Sequence, residues 1–229
     1  SVFSLVKNAL SNHENWDLAW KDPTPKKEYD VVIIGGGGHG LATAYYLAKE
    51  HNITNVAIIE KGWIGGGNVG RNTTIIRSNY MHDENALFSE FGMDLWRRMS
   101  QDLNYNVMFS PRGIINLAHS DAQMNTYARR GNSMRLNGID AVLLNREEVK
   151  EIIPMADFSE NVRFPIFGGL MQPSAGTARH DAVAWGYARQ ADDMGVDIIQ
   201  NCEVIGFDVS AGKINGVRTS RGDIKAKKI

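Results

Sequence analysis

The sequence predicts an α/β fold built on a parallel sheet, with part of an α+β region inserted into it and a small β-meander near the end. Residues 29–34 form an apolar, β-branched run that ends at four consecutive glycines. Such a run is typical of a parallel strand buried on both faces. Residues 39–49 carry an apolar stripe at helical spacing, and residues 55–59 are a second apolar run. Together they predict one βαβ unit.

The remaining segments predict four regions along the chain. Residues 1–28 are polar and rich in Pro and Lys near their end, which indicates a surface arm. We expect residues 29–80 to begin a nucleotide-binding domain, 81–177 to form part of a substrate-binding, helical region, and 178–229 to return to the first domain, truncated before its final strand. The periodicity predicts helices over 87–99, 121–136, 145–153 and 181–194, strands over 113–118, 142–144, 196–199 and 203–205, and hairpin turns at 212–215 and 220–222.

Composition excludes several classes of protein. The 229 residues carry 25 Lys and Arg against 26 Asp and Glu, so no basic excess supports a nucleic-acid partner. No run approaches the ~20 apolar residues that span a bilayer. The one cysteine, Cys202, rules out an internal disulfide framework and indicates a small buried side chain. We predict no metal site, treat His82 and His119 as surface or structural residues, and expect a cytoplasmic protein.

The motif Gly35-x-Gly37-x-x-Gly40 lies between the first strand and the first helix, and Glu60 follows Gly40 by twenty residues. In a Rossmann-type dinucleotide site the first glycine permits a tight turn, the second admits a pyrophosphate and the third lets helix and strand pack closely. The acid accepts hydrogen bonds from ribose hydroxyls, and its charge disfavours the 2′-phosphate of NADP. FAD and NAD remain open at this point.

The long polar, glycine-rich segment after Glu60 favours FAD, because an extended dinucleotide needs free backbone donors along its path. A surface loop is the alternative. Within this segment Arg77 follows the apolar residues Ile75 and Ile76. A partly buried guanidinium needs an anion partner. That partner is either Asp83 or Glu84, in an internal salt bridge, or a substrate carboxylate.

Longer motifs resemble the amine-oxidising, FAD-dependent flavoproteins, a family that includes monomeric sarcosine oxidase, glycine oxidase and dimethylglycine dehydrogenase. The motifs are Gly35-Gly-Gly-Gly-His39-Gly40, Glu60-Lys-Gly, Gly65-Gly-Gly-Asn68, Arg71-Asn-Thr-Thr-Ile-Ile-Arg77-Ser-Asn-Tyr80 and Ala178-Arg-His-Asp-Ala-Val-Ala-Trp185. The Arg71–Tyr80 motif and residues 179–185 are similar to the β subunits of heterotetrameric sarcosine oxidases in particular. The resemblance runs from about residue 26 to residue 229.

The resemblance implies one non-covalent FAD and one FMN joined to a histidine. It assigns FAD contacts to the fingerprint loop, to Glu60, to the segment leading toward the flavin ring and to one later backbone position: Gly35, Gly37, Gly38, His39, Gly40, Glu60, Asn68, Arg71, Thr73, Thr74, Ile76 and Val204. It assigns covalent FMN attachment to His180, with Arg179 beside the FMN, and carboxylate binding to Arg77. A neutral imidazole is a competent nucleophile near pH 7, which makes the linkage chemically reasonable.

The resemblance also implies an enzyme that oxidises sarcosine or a related N-methyl amine and assembles with alpha, gamma and delta subunits. We expect the chain to stop before the final strand of its parallel sheet and to be active only with a missing C-terminal half and partner subunits. Two alternatives stay open: a dimethylglycine-type dehydrogenase and a non-catalytic, dinucleotide-binding scaffold subunit.

Overall fold

The computed structural model describes residues 2–14, 18–159 and 161–229 and divides the chain into two compact units. The outer unit comprises Ser1–Arg71 and Ala184–Ile229, and the central unit comprises Asn72–Val183. The predicted boundaries near residues 80 and 177 lie inside the central unit. The difference arises because residues 75–76 pair with residues 176–177, which draws both ends of the insertion into one unit.

Helices and strands alternate along most of the described chain. The helices are α1 (Val2–Leu10), α2 (Gly38–His51), α3 (Asp83–Asp102), α4 (Asp121–Leu136), α5 (Arg146–Ile152) and α6 (His180–Asp193). The strands are β1 (Glu28–Ile34), β2 (Val56–Ile59), β3 (Ile75–Ile76), β4 (Ile114–Ala118), β5 (Val142–Asn145), β6 (Gly168–Gln172), β7 (Gly176–Thr177), β8 (Asp197–Ile199), β9 (Val204–Ser210), β10 (Lys213–Thr219) and β11 (Gly222–Lys228).

The outer unit contains a six-stranded sheet in the order β8-β2-β1-β11-β10-β9. Strands β8, β2, β1 and β11 run parallel, and β11, β10 and β9 form an antiparallel meander. All four residues of β2 are buried, which explains their unbroken apolar character. The sequence-predicted α/β class, parallel sheet and meander are confirmed. Strand β11 pairs with β1 up to the Lys228–Val31 register position.

The central unit is built on the three-stranded antiparallel sheet β4-β6-β5, with α4 and α5 contacting β6. Helix α4 has the predicted bounds. The side chain of Asn145 caps α5, and with Glu148 it completes a capping box. The short antiparallel ladder between β3 and β7 was not predicted, because two-residue strands leave no periodicity in a sequence.

The N-terminal segment differs in part from the predicted arm. Val2–Leu10 forms helix α1, in which no described residue is buried. The predicted surface arm therefore contains a helix that the sequence analysis did not predict. Among the described helices, none combines the length and the hydropathy needed to cross a bilayer.

Candidate functional site

The glycine fingerprint forms the turn between β1 and the N-terminus of α2. Gly35 has a φ of +105°, a conformation that side chains rarely adopt, so its predicted role in the turn is confirmed. A methyl group at Gly40 would collide with the Gly35 carbonyl oxygen, which confirms its predicted packing role. A methyl group at Gly37 would meet no atom within 4 Å, so the surface of this residue is open. The loop therefore packs tightly against the protein at Gly40 and leaves free space beside Gly37.

The backbone N–H groups at the start of helix α2 have no side-chain cap from the N-cap residue. Gly37 is the N-cap residue and supplies no side-chain hydrogen bond to the first turn. Gly38, His39 and Gly40 are the first three residues of the helix. The N–H groups of a first helical turn have no partner inside the helix, and the helix dipole places partial positive charge there. This arrangement suits a phosphate group.

Glu60 follows β2 and is held by backbone donors on both sides. Its Oε2 accepts a 2.8 Å hydrogen bond from the Gly36 N–H, and its Oε1 accepts a 2.8 Å hydrogen bond from the Gly62 N–H. A carboxylate oxygen has two lone pairs, so each retains capacity for another donor. The fingerprint loop therefore fixes the orientation of the carboxylate that sequence analysis assigned to the ribose.

A cleft of about 660 Å³ joins these features within the outer unit. Its walls combine the glycine loop, the acid, the polar segment that follows and the start of β9. The lining residues are Ile34, Gly35, Gly36, Gly37, Ile59, Glu60, Lys61, Gly62, Trp63, Gly66, Gly67, Arg71, Glu203 and Val204. The structure thus brings together five of the predicted FAD residues: Gly35, Gly37, Glu60, Arg71 and Val204.

Other predicted FAD residues lie near this cleft in sequence or in the other unit. Gly38, His39 and Gly40 belong to the first turn of α2, and Asn68 begins the short 3-10 helix that ends at Arg71. Thr73, Thr74 and Ile76 belong to the central unit. Sequence reasoning did not select Trp63 or Glu203, although each adjoins a selected motif. Trp63 is 67% exposed, which is unusual for such a large apolar side chain.

The two motifs most similar to sarcosine oxidase β subunits meet within the central unit. Strand β3 pairs with β7, and the Ala178 N–H donates to the Thr74 carbonyl at 3.2 Å. Thr74 has a φ of +59°, a strained conformation for a β-branched residue. Its own N–H donates to the Asn72 side chain at 2.7 Å. Such strain persists where surrounding contacts fix the backbone, and it is frequent at functional sites.

Arg77 has neutral partners in the structure, and the salt bridge that was one of its two sequence-based alternatives is absent among the described residues. Its Nη1 donates to the Asn79 Oδ1 at 2.6 Å, and its guanidinium carbon lies 5.2 Å from the centre of the Tyr80 ring. Within the described part of the chain, neither Asp83 nor Glu84 forms an ion pair with it. The first of the two partners considered from the sequence is therefore not found.

His180 is the first residue of α6, and its Nδ1 is buried. Within the described chain that nitrogen is the one buried side-chain N or O atom without a hydrogen-bond partner. Unpaired buried polar atoms in native structures call for an explanation such as a missing ligand. The neighbouring Arg179 is exposed and pairs through Nε with the Asp181 carboxylate at 2.8 and 3.1 Å.

The charge of Asp181 is favoured by its surroundings. Partial burial raises the pKa of this carboxyl group, but the hydrogen bonds from Arg179 and from the Ala182 N–H outweigh that effect. The pKa of Asp181 is therefore lowered overall, and the nearby His180 contributes in the same direction. Arg179 and Asp181 form an ion pair beside His180.

The remaining sequence-selected residues have structural positions. His82 is the N-cap residue of α3, and the Nδ1 of His119 lies 3.2 Å from the Pro165 carbonyl oxygen. Cys202 is buried, as predicted. Across residues 2–14, 18–159 and 161–229, no group of three or more His, Cys, Asp or Glu side chains is arranged to hold a metal ion.

A protein-family model described as FAD dependent oxidoreductase matches residues 30–229. The chain belongs to the FAD dependent oxidoreductase family. The chain is 60% identical over all 229 residues to sarcosine oxidase subunit beta from Rhizobium meliloti (strain 1021). It is 52% identical over the same length to sarcosine oxidase subunit beta from Rhodobacter capsulatus. The resemblance seen in the sequence is thereby confirmed, and the chain spans 55% of the length of each relative.

Solved structures agree with this assignment of the fold. L-proline dehydrogenase from P. horikoshii matches with a TM-score of 0.81 at 28% identity, covering 90% of this chain and 53% of that one. Glycine oxidase from Bacillus cereus matches with a TM-score of 0.76 at 24% identity, covering 87% of this chain and 53% of that one. The second likeness concerns the fold alone.

The residues of the cleft fit the FAD of this family. An open glycine surface and the start of α2 suit the diphosphate, and the Glu60 carboxylate suits the ribose. The positively charged Arg71 lies in the same cleft. Family membership therefore resolves the choice between FAD and NAD in favour of FAD.

Proposed function

We propose that this chain forms the flavin-binding part of an oxidase that acts on sarcosine, N-methylglycine. The products are glycine, a one-carbon unit passed to tetrahydrofolate, and hydrogen peroxide. The observation that carries the proposal is the 60% identity over the whole chain to a sarcosine oxidase subunit beta. Bound FAD would supply hydride acceptance from the amine, and a covalently held FMN would supply electron transfer to oxygen.

In this proposal the outer unit binds FAD through its backbone. The N–H groups at the start of α2 face the diphosphate, and the Glu60 carboxylate accepts hydrogen bonds from ribose hydroxyls. Because Gly36 and Gly62 already orient that carboxylate, no reorganisation is needed on binding. Val204 lines the part of the cleft assigned to adenine, and Asn68, Arg71, Thr73, Thr74 and Ile76 follow the cofactor toward its ring.

We propose that His180 carries the covalent FMN. The buried Nδ1 supports this role, because this ring nitrogen has no hydrogen-bond partner among the described residues. Arg179 lies beside it and is already paired with Asp181. We therefore expect the ion pair between Arg179 and Asp181 to fix the backbone next to the flavin.

We further propose that Arg77 binds the carboxylate of the substrate. Its planar guanidinium matches a carboxylate in geometry, and its partners in the central unit are neutral. Sarcosine carries one carboxylate next to a secondary amine, so a single fixed cation orients the molecule. Hydride transfer itself is flavin chemistry, and the contribution of Arg77 is binding and orientation.

Activity in this proposal depends on more than the 229 residues. The chain spans about half the length of the relatives named above. We propose that the additional sequence found in those relatives, together with alpha, gamma and delta subunits, completes the enzyme. We place this assembly in the cytoplasm.

Flavin retention tests the proposal directly. The protein is precipitated with acid, and the yellow colour that stays on the polypeptide is measured. We expect His180→Ala to lose that covalent flavin while FAD remains extractable, because the substitution removes only the attachment point. His119→Ala is the matched control, since His119 is also a partly buried histidine. Covalent flavin that persists in His180→Ala would overturn the assignment.

Product analysis separates the remaining candidates. Hydrogen peroxide released on addition of sarcosine supports an oxidase, whereas reduction of an artificial acceptor without peroxide supports the dimethylglycine-type dehydrogenase. A preparation with no bound flavin supports the scaffold subunit. These assays use the protein with the subunits that purify with it.

A further inference from the structure

Arg77 lies at the border between an open cleft and a buried polar cluster of the central unit. The cleft has a volume of about 310 Å³ and is lined by Arg77 together with the apolar side chains of Ile75, Ile76, Phe88, Phe91, Met93, Leu95 and Trp96. The same guanidinium donates to Asn79, whose side chain is fully buried. Arg77 therefore has one side toward solvent and one side toward Asn79.

Arg130, on helix α4, contacts Asn79 as well. Its Nε donates to the Asn79 carbonyl oxygen at 2.6 Å, and its Nη2 donates to that carbonyl and to Oδ1, the latter at 3.0 Å. The Asn79 Nδ2 donates to the Asn116 Oδ1 at 2.7 Å. One amide oxygen thus accepts hydrogen bonds from two arginines, and the amide nitrogen is fixed by Asn116.

The charges in this cluster are unbalanced. Among the described residues, neither Arg77 nor Arg130 has a carboxylate oxygen within 4.0 Å. Burial lowers the pKa of Arg130, and the positive charge of Arg77 lowers it further. Two guanidinium groups that share a neutral acceptor repel each other, so an anion that reaches Arg77 gains from both charges.

We propose that Arg130, acting through Asn79, positions the Arg77 guanidinium and leaves its charge uncompensated for a carboxylate ligand. Arg130 does not line the cleft, so it is a positioning residue. Asn79 is suited to the task because its amide oxygen orients both cations without adding a negative charge. This inference rests on the proposed carboxylate role of Arg77 and names two further residues for that site.

Asn79→Asp tests the role of the neutral amide in the assembled, flavin-loaded protein. The new carboxylate keeps the acceptor oxygen and neutralises one of the two cations, while the Asn116 amide can turn to donate to it. We expect KM for sarcosine to rise at least tenfold with kcat within twofold of the wild-type value. We also expect the melting temperature without anion to rise. A purely structural Asn79 would leave KM unchanged or lower the melting temperature.

Arg130→Gln and Arg130→Lys test the positioning residue. We expect Arg130→Gln to raise KM for sarcosine about tenfold with kcat within twofold, and Arg130→Lys to recover part of the loss because it restores the charge and one donor. Arg135→Gln and Asn132→Asp are matched controls. Arg135 lies on the same helix and donates to a backbone carbonyl and to the Asn132 Oδ1, but it shares no acceptor with Arg77.

A carboxylate probe separates this inference from the proposed function. The melting temperature of the wild-type protein is compared in acetate and in acetamide, and then again for Arg77→Met. If acetate gives the wild type no advantage over acetamide, the carboxylate role of Arg77 is wrong and the inference falls with it. If Arg77→Met abolishes the acetate effect but Asn79→Asp and Arg130→Gln both retain it with unchanged KM, only the inference is overturned. Loss of the effect in all three variants, but not in the two controls, supports it.

Discussion

The outer cleft and the central cluster are both suited to anions, but they are made from different parts of the chain. In the outer unit, glycine N–H groups and the start of α2 form the surface, and Glu60 is itself held by backbone donors. In the central unit, two arginine side chains converge on a buried asparagine. Backbone donors suit any diphosphate, whereas fixed side chains discriminate between small ligands.

This difference affects what a substitution does in each unit. A site built from backbone N–H groups keeps its ligand affinity when a substitution leaves the turn intact. It loses that affinity when an added side-chain atom displaces the backbone of the turn. A side-chain site changes its preference when one charge is altered while the fold persists. Variants in which stability and ligand affinity are measured separately therefore test this difference between the two units.

Gly40→Ala should have the largest effect of the variants in the outer unit. The added methyl group collides with the Gly35 carbonyl oxygen and lies close to the Ile33 side chain. Overpacking destabilises a protein by about 1–3 kcal/mol, and we expect the upper end here because the colliding atom belongs to the backbone. We expect the protein to lose bound FAD and to melt at a lower temperature, measured by flavin absorbance and thermal unfolding.

Gly37→Ala is the matched control for that variant. A methyl group there meets no atom within 4 Å, and the backbone is not in the left-handed region. We expect its melting temperature without cofactor to stay near the wild-type value while FAD affinity falls, because the methyl group occupies the open ligand side. Equal stability losses in the two variants would contradict the division of roles between these glycines.

Glu60→Gln should produce the next largest effect. The amide replaces one charge-assisted acceptor by a nitrogen that faces a backbone N–H, and it removes the charge assigned to ribose recognition. Hydrogen bonds to charged groups contribute about 1.5–3 kcal/mol, so FAD affinity should fall by about 10- to 100-fold. Equilibrium dialysis with FAD measures this change. Glu203→Gln, in the same cleft, should have a smaller effect, and equal losses would show that only the total charge matters.

The sequence predicted the outer site better than the central one for a physical reason. The strand, turn and helix that form the glycine loop are contiguous, so the roles of Gly35 and Gly40 follow from local spacing. Arg130 and Asn79 are 51 residues apart, and nothing in either local pattern indicates that they meet. The proximity of Thr74 to Ala178 was likewise hidden, because a two-residue ladder has no period.

Tyr29 offers a smaller, pH-dependent test within the outer unit, away from the cleft. The pKa of Tyr29 is raised to about 12, chiefly by burial. The Lys26 N–H lowers it, and Asp197, which accepts a 2.9 Å hydrogen bond from the hydroxyl group, raises it. The folded state therefore favours the neutral phenol. Its contribution is complete below pH ~10, the usual value for tyrosine, and declines as pH rises toward about 12.

Tyr29→Phe isolates that contribution. At pH 9 we expect the variant to be less stable than the wild type by about 1 kcal/mol, because the hydroxyl hydrogen bonds are lost. Between pH ~10 and 11.5 the difference should shrink by up to about 1.4 kcal/mol per pH unit and then change sign, since only the wild type must keep this phenol neutral. Urea unfolding across that range measures the gap, and a gap that is independent of pH would refute the linkage.

Asn145→Ala should give the smallest effect, confined to the central unit. The substitution removes the side chain that accepts from the Glu148 N–H at 3.0 Å and so dissolves the capping box of α5. Loss of an N-cap destabilises by about 1 kcal/mol. Asn145→Ser, which keeps a capping oxygen, should restore most of that stability. Because the cap contacts no residue of the FAD cleft, FAD affinity should be unchanged in both variants, and a fall in affinity would mean that the stability of the central unit limits binding in the outer one.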